Sequence, residues 1–143
     1  MSTTRRFVER IQQIALDRGW RDPVLPGSLL SAWELMVDQC ATGYESDLSE
    51  YLNDLSVRGL LQSVLDDPDI QACDEYAWFA AEVQRIDGGF RDVLHDGPVV
   101  RRGDFYWWNR RVPSFGQQEF VDDVRERYSV ELGEVESLDL AQQ

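Results

Sequence analysis

Hydrophobic residues recur every three or four positions along most of the chain, which is the spacing of one face of an α-helix. Phe7, Ile11 and Ile14 begin this pattern. They predict a first helix over residues 4–18, because Gly19 follows as a residue type that commonly ends helices.

A second helix is predicted from Ser28 to Thr42. Serine is a favoured residue at helix N-termini, and Gly43 stands where a glycine commonly follows a helix C-terminus. The predicted buried face consists of apolar residues at helical spacing: Leu29, Trp33, Met36 and Cys40. The proline-containing segment 20–27 before this helix is predicted to be a loop.

The middle of the chain predicts further helices. Residues 47–67 are typical of one helix, or of two helices joined at a bend, and we expect a break near Asp54. The sequence Asp66-Asp67-Pro68-Asp69 places acids and a proline where a helix begins. We expect the longest helix of the chain to follow it, to end at residues 95–98, and to kink or divide at Gly88-Gly89.

Residues 99–113 are the clearest predicted non-helical segment. Their aromatic run, residues 105–108, favours an extended strand or a short hairpin that turns through residues 102–104. Successive side chains of a strand point to opposite faces, so at least one of these aromatic rings is expected to be exposed. A last helix is predicted over 116–128 with Ser114 as its cap, followed by an acidic tail from Glu131 that we expect to be frayed.

These patterns together predict an all-α fold. We expect a compact bundle of five to six helices, with one extended or short-hairpin aromatic segment near residues 99–113. Residues 1–130 are predicted to form a single helical domain, and residues 131–143 the acidic C-terminal tail.

The charge of the chain restricts its partners. The 143 residues include 27 acidic and 14 basic residues, which gives a net charge of −13, and every basic residue is arginine. Such a protein repels phosphates and anionic lipids, so nucleic acid is an unlikely partner and a membrane is not expected. The sequence has neither a long apolar run nor a signal-peptide core, and it is typical of a bacterial cytoplasmic protein.

Residues suited to catalysis or metal binding are scarce. The chain has two distant cysteines, Cys40 and Cys73, and the single histidine His95, whereas a zinc site needs such residues in clusters. It has no lysine for a P-loop. We therefore expect no metal and no cofactor, and we expect both cysteines to be buried thiols. An enzyme that uses His95 with Arg91 or Asp92 is the alternative.

The strongest charge feature is an acidic band over residues 34–75, in which eleven acids face the single Arg58, for a net charge of −10. Pairs four residues apart share a helix face and repel each other. We predict that they meet a cationic partner, with contacts at Glu34, Asp38, Glu50 and Asp54. The alternative interpretation is that these charges only keep the protein in solution.

A second candidate surface is the aromatic and arginine-rich segment 101–111, with predicted contacts at Tyr106, Trp107, Trp108, Arg110 and Arg111. Tyrosine, tryptophan and arginine dominate protein interfaces. Two alternatives remain. The rings can complete the core while the arginines pair with the protein's own carboxylates, or the segment can hold single-stranded nucleic acid.

The leading functional hypothesis is a non-enzymatic acidic protein that sequesters or regulates a basic protein partner. Bacterial immunity proteins and antitoxin-like inhibitors share this size, this sign of charge and the lack of catalytic residues, which is an analogy of class. The other hypotheses are a small hydrolase or nuclease-like enzyme that uses His95, and a structural subunit that forms a homodimer or larger homo-oligomer.

Overall fold

The first helix, α1 (Arg5–Asp17), begins and ends where local chemistry dictates. The Oγ1 atom of Thr4 accepts a hydrogen bond from the backbone N–H of Phe7 at 3.4 Å, which caps the helix N-terminus. Gly19 has a φ of +89°, a left-handed conformation that glycine adopts without steric cost. The computed structural model, which describes residues 4–96, 99–100 and 106–135, thus confirms the predicted first helix.

The fold is mainly helical, as predicted. The remaining elements of the described residues are α2 (Pro26–Thr42), α3 (Leu48–Asp66), α4 (Pro68–Gln71), α5 (Tyr76–Val93), α6 (Trp107–Arg110), β1 (Phe115–Gly116), α7 (Gln118–Tyr128) and β2 (Gly133–Glu134). Within the described ranges, none of the helices is both long enough and apolar enough to cross a membrane.

Helix α2 begins two residues earlier than predicted. Pro26 opens the helix, where its missing N–H leaves no hydrogen bond unmade. Ser28 therefore lies inside the first turn, where its Oγ atom accepts from the backbone N–H of Leu25 at 3.0 Å and donates to the carbonyl of Leu25 at 2.8 Å. Gly43 has a φ of +107°, which confirms its predicted place after the helix.

Helix α3 is continuous, so the predicted break near Asp54 is wrong. The helix begins after Asp47, whose Oδ1 atom accepts the backbone N–H of Glu50 at 2.8 Å. Asparagine and aspartate disfavour a helix by well under 1 kcal/mol each. That cost is outweighed because Tyr51 and Leu55, on either side of the expected break, are both buried.

The long helix expected after Pro68 is divided, but not at the glycine pair. Asp67 caps the short helix α4 by accepting the backbone N–H of Ile70 at 3.1 Å. Helix α5 starts only after Glu75, a buried residue whose Oε2 atom accepts both the backbone N–H and the hydroxyl of Thr4, at 2.6 and 2.9 Å. Gly88-Gly89 lies inside α5 without breaking it. The division between α4 and α5 thus coincides with the tertiary contact of Glu75 with Thr4.

The C-terminal part of the described chain contains a small parallel sheet. Phe115 of β1 pairs with Gly133 of β2. Ser114, the predicted cap of the last helix, therefore precedes a strand and not a helix. Helix α7 follows Gln117 instead, and no side-chain hydrogen bond caps it. Strand β2 lies in the predicted tail, with Leu132 buried beside it, whereas residues 136–143 of that tail lie outside the described residues.

Backbone contacts divide the chain into two units. Unit 1 comprises Met1–Leu35 and Asp54–Asp87, and unit 2 comprises Met36–Asn53 and Gly88–Gln143. Helices α2, α3 and α5 each contribute residues to both. The predicted single domain stays a prediction.

Buried apolar residues occupy the interior of unit 1, where the rings of Phe7 and Phe79 meet edge to face with centroids 5.7 Å apart. The largest buried apolar side chains of this unit are Phe7, Ile11, Trp33, Leu60, Leu61, Val64, Ile70 and Phe79. They come from α1, α2, α3, α4 and α5. The apolar faces predicted for these helices therefore enclose the core of this unit.

Unit 2 is packed around aromatic rings. Tyr44, Tyr51 and Phe120 contact one another with ring centroids 5.1 to 5.5 Å apart. The hydroxyl of Tyr51 has no hydrogen-bond partner among the described residues, and burial raises its pKa well above the ordinary value. Ring packing must therefore outweigh the desolvation of this hydroxyl.

Candidate functional site

Six of the twelve carboxylates of unit 1 form ion pairs with arginines of the same unit. Arg58 and Asp87 form a buried pair in which two guanidinium nitrogens donate to the two carboxylate oxygens at 2.8 and 2.9 Å. The indole N–H of Trp33 donates to the same carboxylate at 3.0 Å. A buried carboxylate with this many donors is fixed in position, which makes the network part of the core.

Two further arginines of unit 1 each bridge two elements. Arg10 donates to Asp67 at 2.6 and 2.9 Å, and its guanidinium holds the pKa of that carboxyl below the ordinary value. Arg85 donates to Glu34 at 2.7 Å and to Glu82 at 2.9 Å, and these bonds raise its own pKa. Glu34, a predicted partner contact, is therefore already paired with an arginine of its own unit.

Unit 2 presents the opposite arrangement. Its exposed carboxylates include eight that form no ion pair with any described residue: Asp38, Glu45, Glu50, Asp92, Asp96, Glu119, Glu126 and Glu134. The ion pairs of this unit are those of Arg125 with Asp122 at 3.3 Å and with Glu131 at 2.8 Å, among the described residues. By sequence, unit 2 holds fifteen acids and seven arginines, for a net charge of −8.

The four acidic contacts predicted from the sequence fall in both units. Glu34 and Asp54 belong to unit 1, and Asp54 is half-buried with an interaction inside the protein. Asp38 and Glu50 belong to unit 2 and are exposed. Their role as contacts stays a prediction, but the two in unit 2 have charges that are not already used.

An open groove lies between the first turn of α3 and helix α7, both in unit 2. Its volume is about 430 Å³, and we call it the acidic groove, lined by Leu48, Ser49, Asp123, Glu126 and Arg127. Asp123 fixes the two elements together, because its Oδ2 atom accepts the backbone N–H of Leu48 at 3.0 Å. The groove is therefore held by a hydrogen bond across the two helices.

The carboxylates in and beside this groove differ in whether they already accept hydrogen bonds within the protein. Asp47 and Asp123 accept backbone N–H groups at the start of α3, so they cap that helix. Glu126, which lines the groove, and Glu50, which follows Leu48 and Ser49 in the first turn of α3, are exposed and form no ion pair with a described residue. They are two of the eight such carboxylates of unit 2.

Sequence reasoning missed Asp123 and Glu126 as candidate contacts. A signal was present, since Glu119, Asp123 and Glu126 have the spacing of one face of a helix. What the sequence could not supply is the long-range neighbour, the first turn of α3, which is brought to α7 only by the fold.

The aromatic segment is not extended where the structure describes it. Trp107–Arg110 form one helical turn, α6, so the strand predicted there is wrong, and the predicted hairpin at 102–104 lies outside the described residues. Tyr106 and Trp108 consequently do not share a strand face but stack in parallel, with centroids 4.4 Å apart and planes 5° apart. Trp108 is 2% exposed and Tyr106 is 52% exposed, so one ring joins the core and the other reaches the surface.

Trp107 is covered by its own unit. The guanidinium of Arg91 lies 3.9 Å from the centre of the indole ring, a cation–π contact that the sequence analysis did not foresee. The ring also contacts Phe90 at 6.1 Å and Trp108 at 5.7 Å. The alternative in which the rings pack within the protein thus applies to Trp107 and Trp108, whereas Tyr106 is 52% exposed.

The other predicted residues of the segment are Arg110, which is exposed, and Arg111, which is half-buried. Each has an interaction within the protein. Neither is therefore a free cation in the way that Glu50 and Glu126 are free carboxylates.

The residues considered for catalysis or metal binding are the single histidine and the two cysteines. His95 is half-buried, and its backbone N–H donates to the carbonyl of Val112 at 2.6 Å. Cys40 is buried as predicted, whereas Cys73 is only half-buried, and neither forms a disulfide. In the described part of the chain, no three histidine, cysteine or acidic side chains are grouped to hold a metal ion. The enzyme that uses His95 stays an untested hypothesis.

No family model, no curated protein and no solved structure matches the chain. The function must therefore be inferred from the charges and contacts of the molecule itself.

Proposed function

We propose that this chain is a non-enzymatic acidic binding protein that sequesters or regulates a basic protein partner, and that unit 2 is its contact surface. The observation that carries the proposal is the set of eight exposed carboxylates in unit 2 without an ion pair among the described residues. Carboxylates that only contribute solubility need no such concentration, and unit 1 pairs six of its own.

The acidic groove is the part of this surface with a defined shape. Glu119 and Asp123 are four residues apart on α7, and Glu126 is three residues further along. Like charges at these spacings destabilise a helix by a few tenths of a kcal/mol each. A partner that brings lysine or arginine into the groove converts this repulsion into attraction.

The net charge also affects the rate of association. A strongly negative surface attracts a cationic partner from a distance and raises the rate of encounter. Salt screens this attraction, since the Debye length is about 8 Å at physiological ionic strength. The association rate is therefore expected to fall steeply as salt is added, and a rate that does not respond to salt would argue against the proposal.

The test compares two variants with the same net charge. E50Q/E126Q removes the exposed carboxylate that lines the groove and the one next to Ser49 in the first turn of α3, and D22N/D74N removes two exposed carboxylates of unit 1 that form no described ion pair. The probe is a fluorescein-labelled octalysine peptide, whose affinity is measured by fluorescence anisotropy. We expect E50Q/E126Q to weaken binding about fivefold and D22N/D74N to weaken it less than twofold.

The opposite result is equally informative. If both variants weaken binding by the same factor, the peptide senses only the total charge of −13, and the solubility interpretation of the carboxylates is favoured. Urea unfolding of both variants checks that neither has lost the fold.

A further inference from the structure

The outward face of helix α2 in unit 1 carries an exposed leucine among small side chains. Leu35 is 58% exposed; Ser31 and Ala32 lie one turn before it on the same face and Ser28 two turns before it, and all three are exposed. Leu25, which is 55% exposed, directly precedes the helix. We call these five residues, which all belong to unit 1, the α2 face.

The α2 face is a gap in the charge of the chain. Charged residues make up 29% of the sequence, but residues 23–37 contain a single one, Glu34, which Arg85 pairs at 2.7 Å. The hydroxyl of Ser28 is also satisfied, because it accepts the backbone N–H of Leu25 at 3.0 Å and donates to the carbonyl of Leu25 at 2.8 Å. A helix packed on this face would therefore bury neither an unpaired charge nor an unbonded Ser28 hydroxyl.

The charges along α2 favour an antiparallel neighbour of the same sequence. The first turn of the helix contains no acid, whereas Asp38, exposed and without an ion pair to a described residue, lies one turn beyond Leu35. The N-terminal end of a helix carries a partial positive charge that attracts carboxylates. An antiparallel copy of α2 brings each Asp38 to the N-terminal end of the other helix, whereas a parallel copy would place the two carboxylates side by side.

We propose that the α2 face is a self-association surface, on which α2 of a second copy packs in the antiparallel direction about a twofold axis between Ser31 and Ala32. Ser28 and Leu35 are equally far from this axis along the helix, so each Leu35 lies on the Ser28 of the other copy. A large side chain over a small one lets two helices pack closely, and a twofold axis uses the same face on both copies. This pairing does not depend on a basic partner.

The charge of the chain makes this dimer weak and dependent on salt. Two copies with a net charge of −13 repel each other, and the repulsion is smallest where a face has no charge. One helix face buries less than the roughly 800 Å² per partner of a standard interface, so we expect a Kd on the order of 100 µM. Salt screens the repulsion and should strengthen the dimer, whereas it should weaken the capture of a basic partner.

The test is analytical ultracentrifugation of the full chain from about 10 µM to about 1 mM, a range that spans the expected Kd, at low and high salt. The wild type should dimerise, and more strongly at high salt. L35D should raise the Kd at least about tenfold, because two carboxylates would be buried on an uncharged face. L16D is the matched control, since Leu16 of α1 is 57% exposed and belongs to the same unit, and its Kd should change less than about twofold.

Disulfide crosslinking tests the position of the axis. The variant A32C is made in a C73S background, because Cys73 is only half-buried whereas Cys40 is buried. Ala32 meets the same residue of the other copy beside the axis, so A32C should form a covalent dimer on mild oxidation. S49C, which places a cysteine at an exposed serine of α3 in the other unit, should stay monomeric.

Three outcomes would overturn the α2 pairing. If the wild type stays monomeric throughout the concentration range at both salts, the face does not self-associate, and the octalysine measurements still decide the proposed function separately. If a dimer forms but L16D and L35D weaken it equally, or salt weakens it, the contact is not the α2 face. If S49C crosslinks and A32C does not, a different surface pairs the two copies.

Discussion

Units 1 and 2 use their charges in opposite ways. In unit 1, Arg10, Arg58 and Arg85 connect separate helices through carboxylates, and the pair of Arg58 with Asp87 is buried. In unit 2, the described ion pairs are confined to Arg125, and packing depends on rings such as Tyr51 and Phe120. The net charges of the two units by sequence are −5 and −8. The units therefore differ less in net charge than in how many of their carboxylates are paired with arginines.

The difference teaches that composition does not reveal which charges are available. A carboxylate paired with its own guanidinium attracts a partner weakly, because the two fields largely cancel outside the protein. An unpaired one acts at full strength within the Debye length. In unit 1, three arginines therefore connect separate elements, whereas eight exposed carboxylates of unit 2 form no ion pair with a described residue.

The largest expected effect comes from breaking the buried pair of unit 1. R58M leaves the carboxylate of Asp87 buried without its main partner, and we expect the free energy of unfolding to fall by about 3 to 5 kcal/mol. Urea denaturation followed by circular dichroism measures this change. R125Q in unit 2 is the control, because its partners are exposed and its loss should leave stability nearly unchanged. Equal effects of the two variants would contradict the comparison.

A smaller effect is expected from disturbing the ring packing of unit 2. A Cβ atom at Gly116 would lie 2.6 Å from a ring carbon of Phe120, which is fully buried and cannot move aside. We expect G116A to lower the free energy of unfolding by about 1 to 3 kcal/mol.

Gly88 provides the matched glycine control in the same unit. Nothing lies within 4 Å of a Cβ atom at this position inside α5, so G88A should raise stability by about 0.5 to 1 kcal/mol. If G116A is as harmless as G88A in thermal and urea unfolding, unit 2 is not held by close ring packing.

The smallest effect concerns pH. Arg10 lowers the pKa of Asp67 in the folded state, so the folded protein binds fewer protons than the unfolded chain near pH 4. The stability that this pair contributes is present above about pH 4 and is lost as the pH falls through the folded pKa. Glu75, whose pKa is lowered by its hydrogen bonds with Thr4, adds to the same acid sensitivity.

The variant D67N tests this pair, since asparagine still caps a helix but cannot ionise. We expect it to lower stability by about 1 kcal/mol at pH 7 and to reduce the dependence of stability on pH between 5 and 2. D74N, at an exposed carboxylate without a described ion pair, serves as the control. A pH dependence that is the same in D67N and wild type would show that Arg10 does not favour the ionised form.

Local signals predicted much of the fold. Thr4, Gly19 and Gly43 mark helix ends where the sequence placed them, since a cap or a positive φ depends on a few neighbouring residues. The errors occurred where a distant contact decided the backbone. The buried Glu75 separates α4 from α5, and the stack of Tyr106 on Trp108 accompanies a helical turn in place of a strand.

The candidate site was less predictable than the fold. Of the acidic residues proposed as contacts, Glu34 is paired with Arg85, and the sequence separation of 51 residues left no local sign of it. Glu126 was overlooked because the groove it lines requires the first turn of α3 as its other wall. Such pairings depend on positions far apart in the chain, which periodicity does not encode.

The sequence by itself determined the helical class, several helix ends and the large negative charge, because these follow from residue types and their short-range spacing. The tertiary structure alone decided which carboxylates are neutralised and which remain free, and which tryptophans enter the core. The physical reason is that ion pairing and burial require atoms within a few ångströms, and for Arg58 with Asp87 or Leu48 with Asp123 only the fold brings them that close.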